Sequence, residues 1–148
     1  MTSHQPKPRI LFLCTGNSCR SQMAEAWARH LKGAELDAFS AGIETHGLNP
    51  NAVKVMNEVG IDMRSHRSKK VEDLGKTRFD YVVTVCDHAR ETCPVFLGPA
   101  RLFHVGFEDP PKLAQGATTP EQALAPYRRV RDEIRAFIET LPGSLAGP

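Results

Sequence analysis

The sequence predicts an α/β fold, a small open sheet of four parallel strands flanked by helices. Short apolar runs alternate along the chain with segments of helical periodicity, a pattern typical of parallel strands joined by right-handed crossovers. The run Tyr81–Cys86 is almost continuously apolar or β-branched, as in a strand covered on both faces. The 148 residues contain no repeat or linker, so we expect one domain over residues 1–148.

Each predicted element has a local reason. The strands are short apolar runs that end at loop residues: Ile10–Cys14, Asp37–Ala41, Tyr81–Cys86 and Arg101–Val105. The helices carry apolar residues at helical spacing: Ser21–Lys32, Pro50–Val59, a short one near Lys70–Gly75, and Glu121–Leu141. Pro126 interrupts the last pattern, so we expect the regular helix to start there, after an irregular turn over Pro120–Ala125.

Composition disfavours several classes of function. The net charge of +2 is spread along the chain, which argues against nucleic acid and membrane surfaces as main partners. No apolar run approaches the roughly 20 residues needed to span a bilayer. The polar N-terminus, Met1–Arg9, lacks the apolar core of a signal peptide. We therefore expect a cytoplasmic protein.

A cysteine and an arginine enclose five residues in the segment Cys14–Ser21, which reads Cys-Thr-Gly-Asn-Ser-Cys-Arg-Ser. It follows a predicted strand and opens a predicted helix, an arrangement that directs several backbone N–H groups towards one point. Gly16 and Asn17 tolerate left-handed backbone angles, and Arg20 adds a fork of donors. These features predict a binding loop for a tetrahedral oxyanion, made of Thr15, Gly16, Asn17, Ser18, Cys19 and Arg20.

The same donors favour a thiolate at Cys14. A cysteine in such a setting has a pKa between about 3.5 and 7.5, and Ser21 is placed to donate its hydroxyl to the sulfur. We therefore expect Cys14 to attack the bound oxyanion. Cys19 has no clear task, and we expect it to be a small filler facing the core.

The four cysteines fall in two pairs, Cys14/Cys19 and Cys86/Cys93. In a cytosolic chain, reactive or metal-binding thiols are more common than structural disulfides. The wide spacing of the second pair and the adjacent Arg20 disfavour zinc, so we predict no metal site.

The segment Cys14–Glu25 closely resembles the active-site loop of thioredoxin-coupled arsenate reductases, which share the fold of low-molecular-weight protein tyrosine phosphatases. The similarity continues through Ser40–Gly47, Val82–Cys86, Cys93–Pro94, Gly106–Pro110 and Tyr127–Ile134. It implies a four-stranded parallel sheet and the reduction of arsenate to arsenite, with thioredoxin as the reductant. We expect a monomer without a tightly bound cofactor.

The resemblance implies a relay of three cysteines. Reducing arsenate takes two electrons, which two thiols supply when they become a disulfide. Cys86 would attack the arsenic-bearing Cys14 and expel arsenite, and Cys93 would then attack Cys86 and move the disulfide to a surface segment that a partner reduces. A disulfide needs Cα atoms within about 7 Å, so we expect Asp87–Pro94 to unfold locally on oxidation. A glutaredoxin-linked route remains open.

The family motif implies that Asp109, directly before Pro110, is the general acid that protonates the departing oxygen. Glu108 is its competitor, and a turn or cap role for Asp109 stays open.

Two departures from the phosphatase pattern favour a small inorganic oxyanion. Phosphatases of this fold carry aromatic residues after the Asp-Pro step and a proline two residues after the arginine. Here Pro111 and Lys112 follow that step, and Gln22 occupies the other place. Arsenate is therefore expected, with phosphate or sulfate as analogues.

Some of these reductases bind potassium near the loop. Asn17, Glu25 and Ser40 match its ligands, but Lys69 stands where an aspartate completes the site. We expect the Lys69 ammonium to reach Glu25 and Asn17 and to replace the cation, so that activity does not require potassium.

Two other functions remain as alternatives. One is a low-molecular-weight phosphatase that acts through a phosphocysteine at Cys14, with Cys86 and Cys93 only protecting it. The other is a redox sensor or anion-binding module that uses the same thiols without turnover.

Overall fold

The computed structural model of the protein describes residues 7–75, 77–86 and 100–145. Within these ranges the chain forms one four-stranded sheet in the order β2-β1-β3-β4, and every neighbouring pair is parallel. The strands are β1 (Arg9–Cys14), β2 (Asp37–Gly42), β3 (Tyr81–Thr84) and β4 (Arg101–His104). The predicted fold class is confirmed.

The described residues form four helices, of which the short one at Pro110–Leu113 was not predicted. They are α1 (Arg20–Lys32), α2 (Pro50–Glu58), a short α3 (Pro110–Leu113) and α4 (Pro120–Glu139), with 3-10 turns at Val71–Leu74 and Gly143–Leu145. Asn49 caps α2 by accepting hydrogen bonds from the N–H groups of Asn51 and Ala52. The following proline occupies the first helical position, where its missing N–H costs nothing.

Strand β1 is an inner strand of the sheet, and both of its faces are covered. Its residues Ile10 to Leu13 are fully buried, as expected for a central strand in a parallel sheet. Helix α1 is buried along its first turns and is joined to α4 by a hydrogen bond from the Trp27 indole to the Arg131 carbonyl, at 3.1 Å. No helix that the structure describes is both long enough and apolar enough to cross a membrane.

The expected break at Pro126 is wrong, because α4 runs without interruption from Pro120 to Glu139. The first turn is stabilised by the Thr119 hydroxyl, which accepts a hydrogen bond from Gln122 N at 3.1 Å. Leu124 is buried against the core. Pro126 removes only the bond that would end on the carbonyl of the exposed Gln122. The cap and the buried leucine therefore outweigh one lost hydrogen bond.

Gly42 ends β2 in a position that excludes any side chain. A Cβ atom there would lie 2.4 Å from the Glu44 carbonyl oxygen and 2.8 Å from both Asn17 N and the Thr15 carbonyl oxygen. All three atoms belong to the backbone, so they cannot move aside without distorting the loop after β1. The glycine thus allows the ends of β1 and β2 to approach each other closely.

We predict that Gly42→Ala destabilises the fold by about 1–3 kcal/mol, the usual cost of overpacking a rigid site. The free energy of unfolding from urea denaturation measures this effect. The matched control is Gly143→Ala, because a Cβ atom at Gly143 meets nothing within 4 Å. Equal stability of the two variants would contradict the prediction.

Candidate functional site

A cavity of about 350 Å³ opens at the carboxyl end of β1, the edge of a parallel sheet where ligands commonly bind. The loop between β1 and α1, here called the oxyanion loop (Cys14–Arg20), forms its base. The cavity is lined by Cys14, Thr15, Gly16, Ser18, Cys19, Arg20, His46, Asp109 and Pro111. The structure thus brings most of the predicted loop residues and Asp109 around one space.

The carbonyl groups of the oxyanion loop are paired with the segment that follows β2, residues 43–49. Four N–H groups of this segment donate to four loop carbonyls at 2.9 to 3.2 Å: Ile43 to Cys14, Glu44 to Thr15, His46 to Gly16 and Asn49 to Ser18. Because the carbonyls are held on that side, the N–H groups of the loop are directed towards the cavity. This arrangement is a backbone anion-binding concavity.

Asn17 is the buried anchor of the loop. It has a positive φ of 48°, which asparagine tolerates better than most residues. Its side-chain oxygen accepts hydrogen bonds from Lys69 N and from the Gln22 amide, both at 2.9 Å. Its amide donates to the Ser21 hydroxyl at 2.9 Å. Asn17 therefore ties the loop to α1 and to residues 66–69 at once.

Gln22 supports the oxyanion loop through hydrogen bonds of its side chain, a role that the sequence analysis did not assign. Its amide nitrogen donates to the carbonyls of Asn17 and Arg67 as well as to the Asn17 side chain, and its oxygen pairs with His66 Nδ1 at 2.9 Å. Ser68 adds a hydrogen bond to the Gly16 carbonyl at 2.7 Å. Two sequence features relate to these contacts: position 22 is not a proline, and His66 and Arg67 lie in one loop that could support the oxyanion loop.

The thiols of Cys14 and Cys86 meet where β1 and β3 end. Leu13 pairs with Thr84 across the two strands, and Val85 N donates to the Leu13 carbonyl at 2.9 Å. This register places Cys86 within hydrogen-bonding reach of Cys14. The Thr15 hydroxyl lies 3.3 Å from the Cys86 sulfur. Cys14 and Cys19 are free thiols, and Cys93 and the segment Asp87–Pro94 lie outside the described residues.

The expected low pKa of Cys14 is wrong for this arrangement, in which the pKa is raised. The largest cause is the hydrogen bond with the Cys86 thiol, followed by burial. The Arg20 guanidinium and the Thr15 backbone lower the pKa without reversing the shift. Sequence reasoning counted only the donors of the loop, because nothing in the local pattern showed that a second buried thiol would touch the first.

Arg20 lines the cavity, and one of its donors has no partner among the described residues. One terminal nitrogen donates to the Phe107 carbonyl at 2.9 Å, and the other lies 3.6 Å from an Asp109 carboxylate oxygen. Its Nε atom is buried and unpaired among the described residues. A buried, unpaired guanidinium donor is costly unless a ligand accepts from it. The arrangement is therefore suited to an oxyanion.

Asp109 precedes α3 but does not cap it with its side chain. Its carboxylate is 40% exposed beside Arg20 and lines the cavity. The competitor Glu108 instead forms an ion pair with Arg129 at 3.0 Å. The geometry favours Asp109 over Glu108 as the residue that can exchange a proton with a bound oxyanion, and its role as the acid stays a prediction.

The proposed cation position is occupied by charged side chains. The buried Glu25 accepts a hydrogen bond from the Ser40 hydroxyl at 2.5 Å, and its carboxylate lies 3.6 Å from the Lys69 ammonium and 3.0 Å from Arg29. The expected contact between Lys69 and Glu25 is present. Asn17, however, binds the backbone N–H of Lys69 rather than its ammonium.

The surroundings of Cys19 and Ser21 are compatible with the chemistry that the sequence predicts for them. Cys19 is buried at the start of α1, and burial raises its pKa to about 12, which agrees with an unreactive filler. Ser21 accepts a hydrogen bond from Asn17, which leaves its own proton for another acceptor. Donation from Ser21 to Cys14 stays a prediction.

Comparison with known proteins places this site in a family. The model of the low molecular weight phosphotyrosine protein phosphatases matches residues 9–146. The chain belongs to this family. It is 51% identical over 134 residues to an arsenate reductase of Halalkalibacterium halodurans, covering 90% of this chain and 94% of that protein. It is 50% identical over 135 residues to an arsenate reductase of Bacillus subtilis, covering 88% and 95%.

A solved structure of an arsenate reductase in the phosphate binding state has the same fold. Its TM-score is 0.73 at 30% identity, with 94% of this chain and 99% of that chain covered. Within the fold that it shares with that structure, this chain places a second thiol, Cys86, within hydrogen-bonding reach of Cys14.

His46 is a cavity residue that sequence reasoning left without a role. Its ring lies over Gly16, where a Cβ atom would be 2.2 Å from His46 Nδ1, and its Nε2 atom is 2.5 Å from a Glu44 carboxylate oxygen. In the sequence, His46 lies in Ser40–Gly47, one of the segments that resemble the family. That resemblance does not reveal that residues 43–49 fold over the oxyanion loop.

We predict that Cys86→Ala lowers the pKa of Cys14, because it removes the largest cause of the upward shift. The thiolate fraction of Cys14 at neutral pH should rise by about tenfold for each unit of the fall, so alkylation of Cys14 should accelerate, by less than that factor because a thiolate of lower pKa is a weaker nucleophile. Iodoacetamide labelling rates across pH, measured by peptide mass spectrometry in a Cys19→Ala background, test this.

The unfolded proteins serve as the control for this labelling experiment, since in urea both should titrate with the same midpoint. An unchanged or higher midpoint for Cys14 in the folded variant would show that Cys86 does not govern its ionisation.

Proposed function

We propose that this protein is a cytoplasmic arsenate reductase that acts in arsenical resistance and uses thioredoxin as its electron donor. The observation that carries the proposal is the contact between Cys14 and a second thiol, Cys86, at the base of an oxyanion-binding loop. A phosphatase needs one nucleophile, whereas reduction of arsenate to arsenite needs two electrons. The relatives named arsenate reductase support the same chemistry.

The first step forms a bond between the Cys14 sulfur and arsenic. Arsenate is held by the loop N–H groups and by Arg20, whose buried Nε atom gains a partner. The Cys14 proton and the proton already on hydrogen arsenate leave with one arsenate oxygen as water. Asp109, at the rim of the cavity, carries the proton to that oxygen. Proton transfer to the substrate allows reaction although the pKa of the thiol is raised.

The second step reduces the arsenic. Cys86 attacks the Cys14 sulfur, the sulfur–arsenic bond breaks, and its electron pair leaves with arsenic, which passes from the pentavalent to the trivalent state. Arsenite takes up the proton of the Cys86 thiol, and a Cys14–Cys86 disulfide remains. The Thr15 hydroxyl, 3.3 Å from the Cys86 sulfur, holds this second nucleophile in place.

The third step returns the protein to its starting state. Cys93 attacks Cys86, Cys14 is released as a thiol, and thioredoxin reduces the Cys86–Cys93 disulfide by the same exchange chemistry. The exchange frees Cys14 for the next turnover and leaves a disulfide that a protein reductant can reduce. We propose that this cycle needs no tightly bound cofactor and that the protein acts as a monomer.

The second candidate is hydrolysis of phosphate esters through a phosphocysteine at Cys14. The family and the phosphate-compatible loop favour it, and Arg20 and Asp109 would act as in the reductase. Pro111 lines the cavity where phosphatases of this fold carry an aromatic residue that holds a phenol ring, so we expect this activity to be weak.

The decisive assay follows NADPH oxidation with thioredoxin, thioredoxin reductase and arsenate, beside hydrolysis of an aryl phosphate. We expect steady turnover that depends on arsenate. Cys93→Ser should release one equivalent of arsenite and then stop, because Cys14–Cys86 cannot be resolved. Cys86→Ser should release none, because the arsenic stays on Cys14.

The two variants are matched, since each replaces one sulfur by oxygen at a different stage of the relay. Brisk aryl phosphate hydrolysis without arsenate turnover would refute the reductase and establish the phosphatase. Disulfide formation with peroxide but without dependence on arsenate would instead indicate a sensor.

We also propose that the enzyme does not require potassium, because the Lys69 ammonium neutralises the buried Glu25. Rates in potassium and tetramethylammonium salts of equal ionic strength should agree. Lys69→Ala should lower kcat/KM, and potassium should restore part of the loss. Lys54→Ala removes a charge from the exposed face of α2 and is the control. A potassium requirement of the unmodified enzyme would contradict the proposal.

A further inference from the structure

His46 lines the cavity from the segment that follows β2, outside the oxyanion loop. Its backbone N–H donates to the Gly16 carbonyl at 3.0 Å, and its side chain is 50% exposed. Among the described residues that line the cavity, only Arg20 and His46 have nitrogen atoms in their side chains. The proposed reaction gives a role to Arg20 and none to His46.

The absence of a side chain at Gly16 leaves room for the imidazole ring of His46. Gly16 and Asn17 both tolerate left-handed backbone angles, but only Asn17 adopts one. The three heavy atoms nearest to a Cβ atom built on Gly16 all belong to the His46 side chain, and Nδ1 is the closest of them. The ring is therefore packed against the Gly16 backbone, with its Nδ1 edge beside the oxyanion loop.

Glu44 holds the opposite edge of the ring. One of its carboxylate oxygens lies 2.5 Å from His46 Nε2, and an ionised carboxylate only accepts hydrogen bonds, so Nε2 carries a proton. Nδ1 has no hydrogen-bond partner among the residues that the structure describes. A carboxylate that orients an imidazole through one nitrogen makes the other nitrogen available to a ligand.

The Nδ1 atom of His46 can pair with an anion such as arsenate or phosphate in both protonation states of the ring. The protonated ring donates from Nδ1 to a charged oxygen, and the neutral ring accepts from a hydroxyl group of the anion. The N–H groups of the oxyanion loop and the Arg20 guanidinium can only donate. The neutral ring therefore supplies an acceptor that these groups lack.

We propose that His46 is an additional oxyanion-binding residue and that Glu44 is the positioning residue that orients its ring. His46 Nδ1 contacts an oxygen that stays on arsenic, since Asp109 serves the oxygen that leaves. Such a contact is made to the substrate and to the transition state alike, so it lowers KM for arsenate and leaves kcat nearly unchanged. The effect on turnover rests on the proposed function, whereas the binding of inorganic phosphate does not.

Two replacements of His46 separate the roles of its two nitrogens. The amide of His46→Asn takes the place of Nδ1, whereas that of His46→Gln takes the place of Nε2 and keeps only the contact with Glu44. Calorimetric titration of the reduced protein with inorganic phosphate measures the dissociation constant. It should rise about tenfold or more in His46→Gln and stay within about threefold in His46→Asn, because a hydrogen bond to a charged group is lost only in the former.

The matched control for these variants is His30→Gln, which should bind phosphate like the unmodified protein. His30 is an exposed residue in the last turn of α1, whereas the oxyanion loop precedes the first turn. With arsenate, His46→Gln should raise KM by the same factor as the phosphate dissociation constant, with kcat nearly unchanged.

The role of Glu44 is tested by two variants that both remove its charge. Glu44→Gln retains an acceptor for Nε2 of His46, and Glu44→Ala does not, so their comparison isolates the orientation of the ring from the loss of charge. Phosphate should bind at least about threefold more weakly to Glu44→Ala than to Glu44→Gln, and the difference should disappear when His46→Gln is added. Equal affinities of the two single variants would show that Glu44 does not position the ring.

Nitrogen-15 NMR of the unmodified protein tests the contact without any substitution. Phosphate should shift the Nδ1 resonance of His46 and leave the resonances of His30 unchanged. An unshifted His46 resonance, or equal phosphate affinity of His46→Gln and the unmodified protein, would overturn the inference. Equal weakening in His46→Asn and His46→Gln would overturn it as well, because the loss would then not depend on Nδ1. The expected phosphate binding without any turnover of arsenate would refute only the proposed function.

Discussion

The pairing of four oxyanion-loop carbonyls with residues 43–49 is the constraint on which the site depends. A backbone that presents its N–H groups to a ligand must satisfy its carbonyls elsewhere, and burial makes that requirement strict. The β2–α2 connection supplies the donors, and Gly42 permits the approach because no side chain fits there. Asn17 and Gln22 then lock the loop from the opposite side.

The parallel sheet accounts for the second feature of the chemistry, the meeting of two thiols. Parallel pairing brings the carboxyl ends of β1 and β3 to one edge of the sheet, so Cys14 and Cys86 become neighbours. The contact between Cys86 and Thr15, the residue after Cys14, joins positions that are 71 apart in the chain. The closeness of Cys86 to Cys14 has opposite effects on the first two steps of the proposed reaction. It raises the pKa of Cys14, which disfavours a free thiolate, and it shortens the path of the second nucleophile.

Much of this architecture could be predicted from local patterns. The strand cores, the cap at Asn49 and the apolar stripe of α4 depend on residues close in sequence, and they lie where the patterns placed them. The errors have different causes. Pro126 lies inside a continuous helix because the local cap by Thr119 and the burial of Leu124 stabilise the preceding turn. Cys14 has a raised pKa because Cys86, which follows another strand, lies beside it.

The fold class and the binding loop could be read from local pattern, because strand periodicity and the order of Cys14, Gly16, Asn17 and Arg20 act within a few residues of backbone. The side chains that complete the site depend instead on contacts between distant segments. Asp109 is favoured over Glu108 as the candidate acid because Glu108 is paired with Arg129. The supporting role of Gln22 depends on its hydrogen bond to the loop that contains Arg67. These contacts join segments far apart in the chain, so their energies act only after the sheet has brought those segments together.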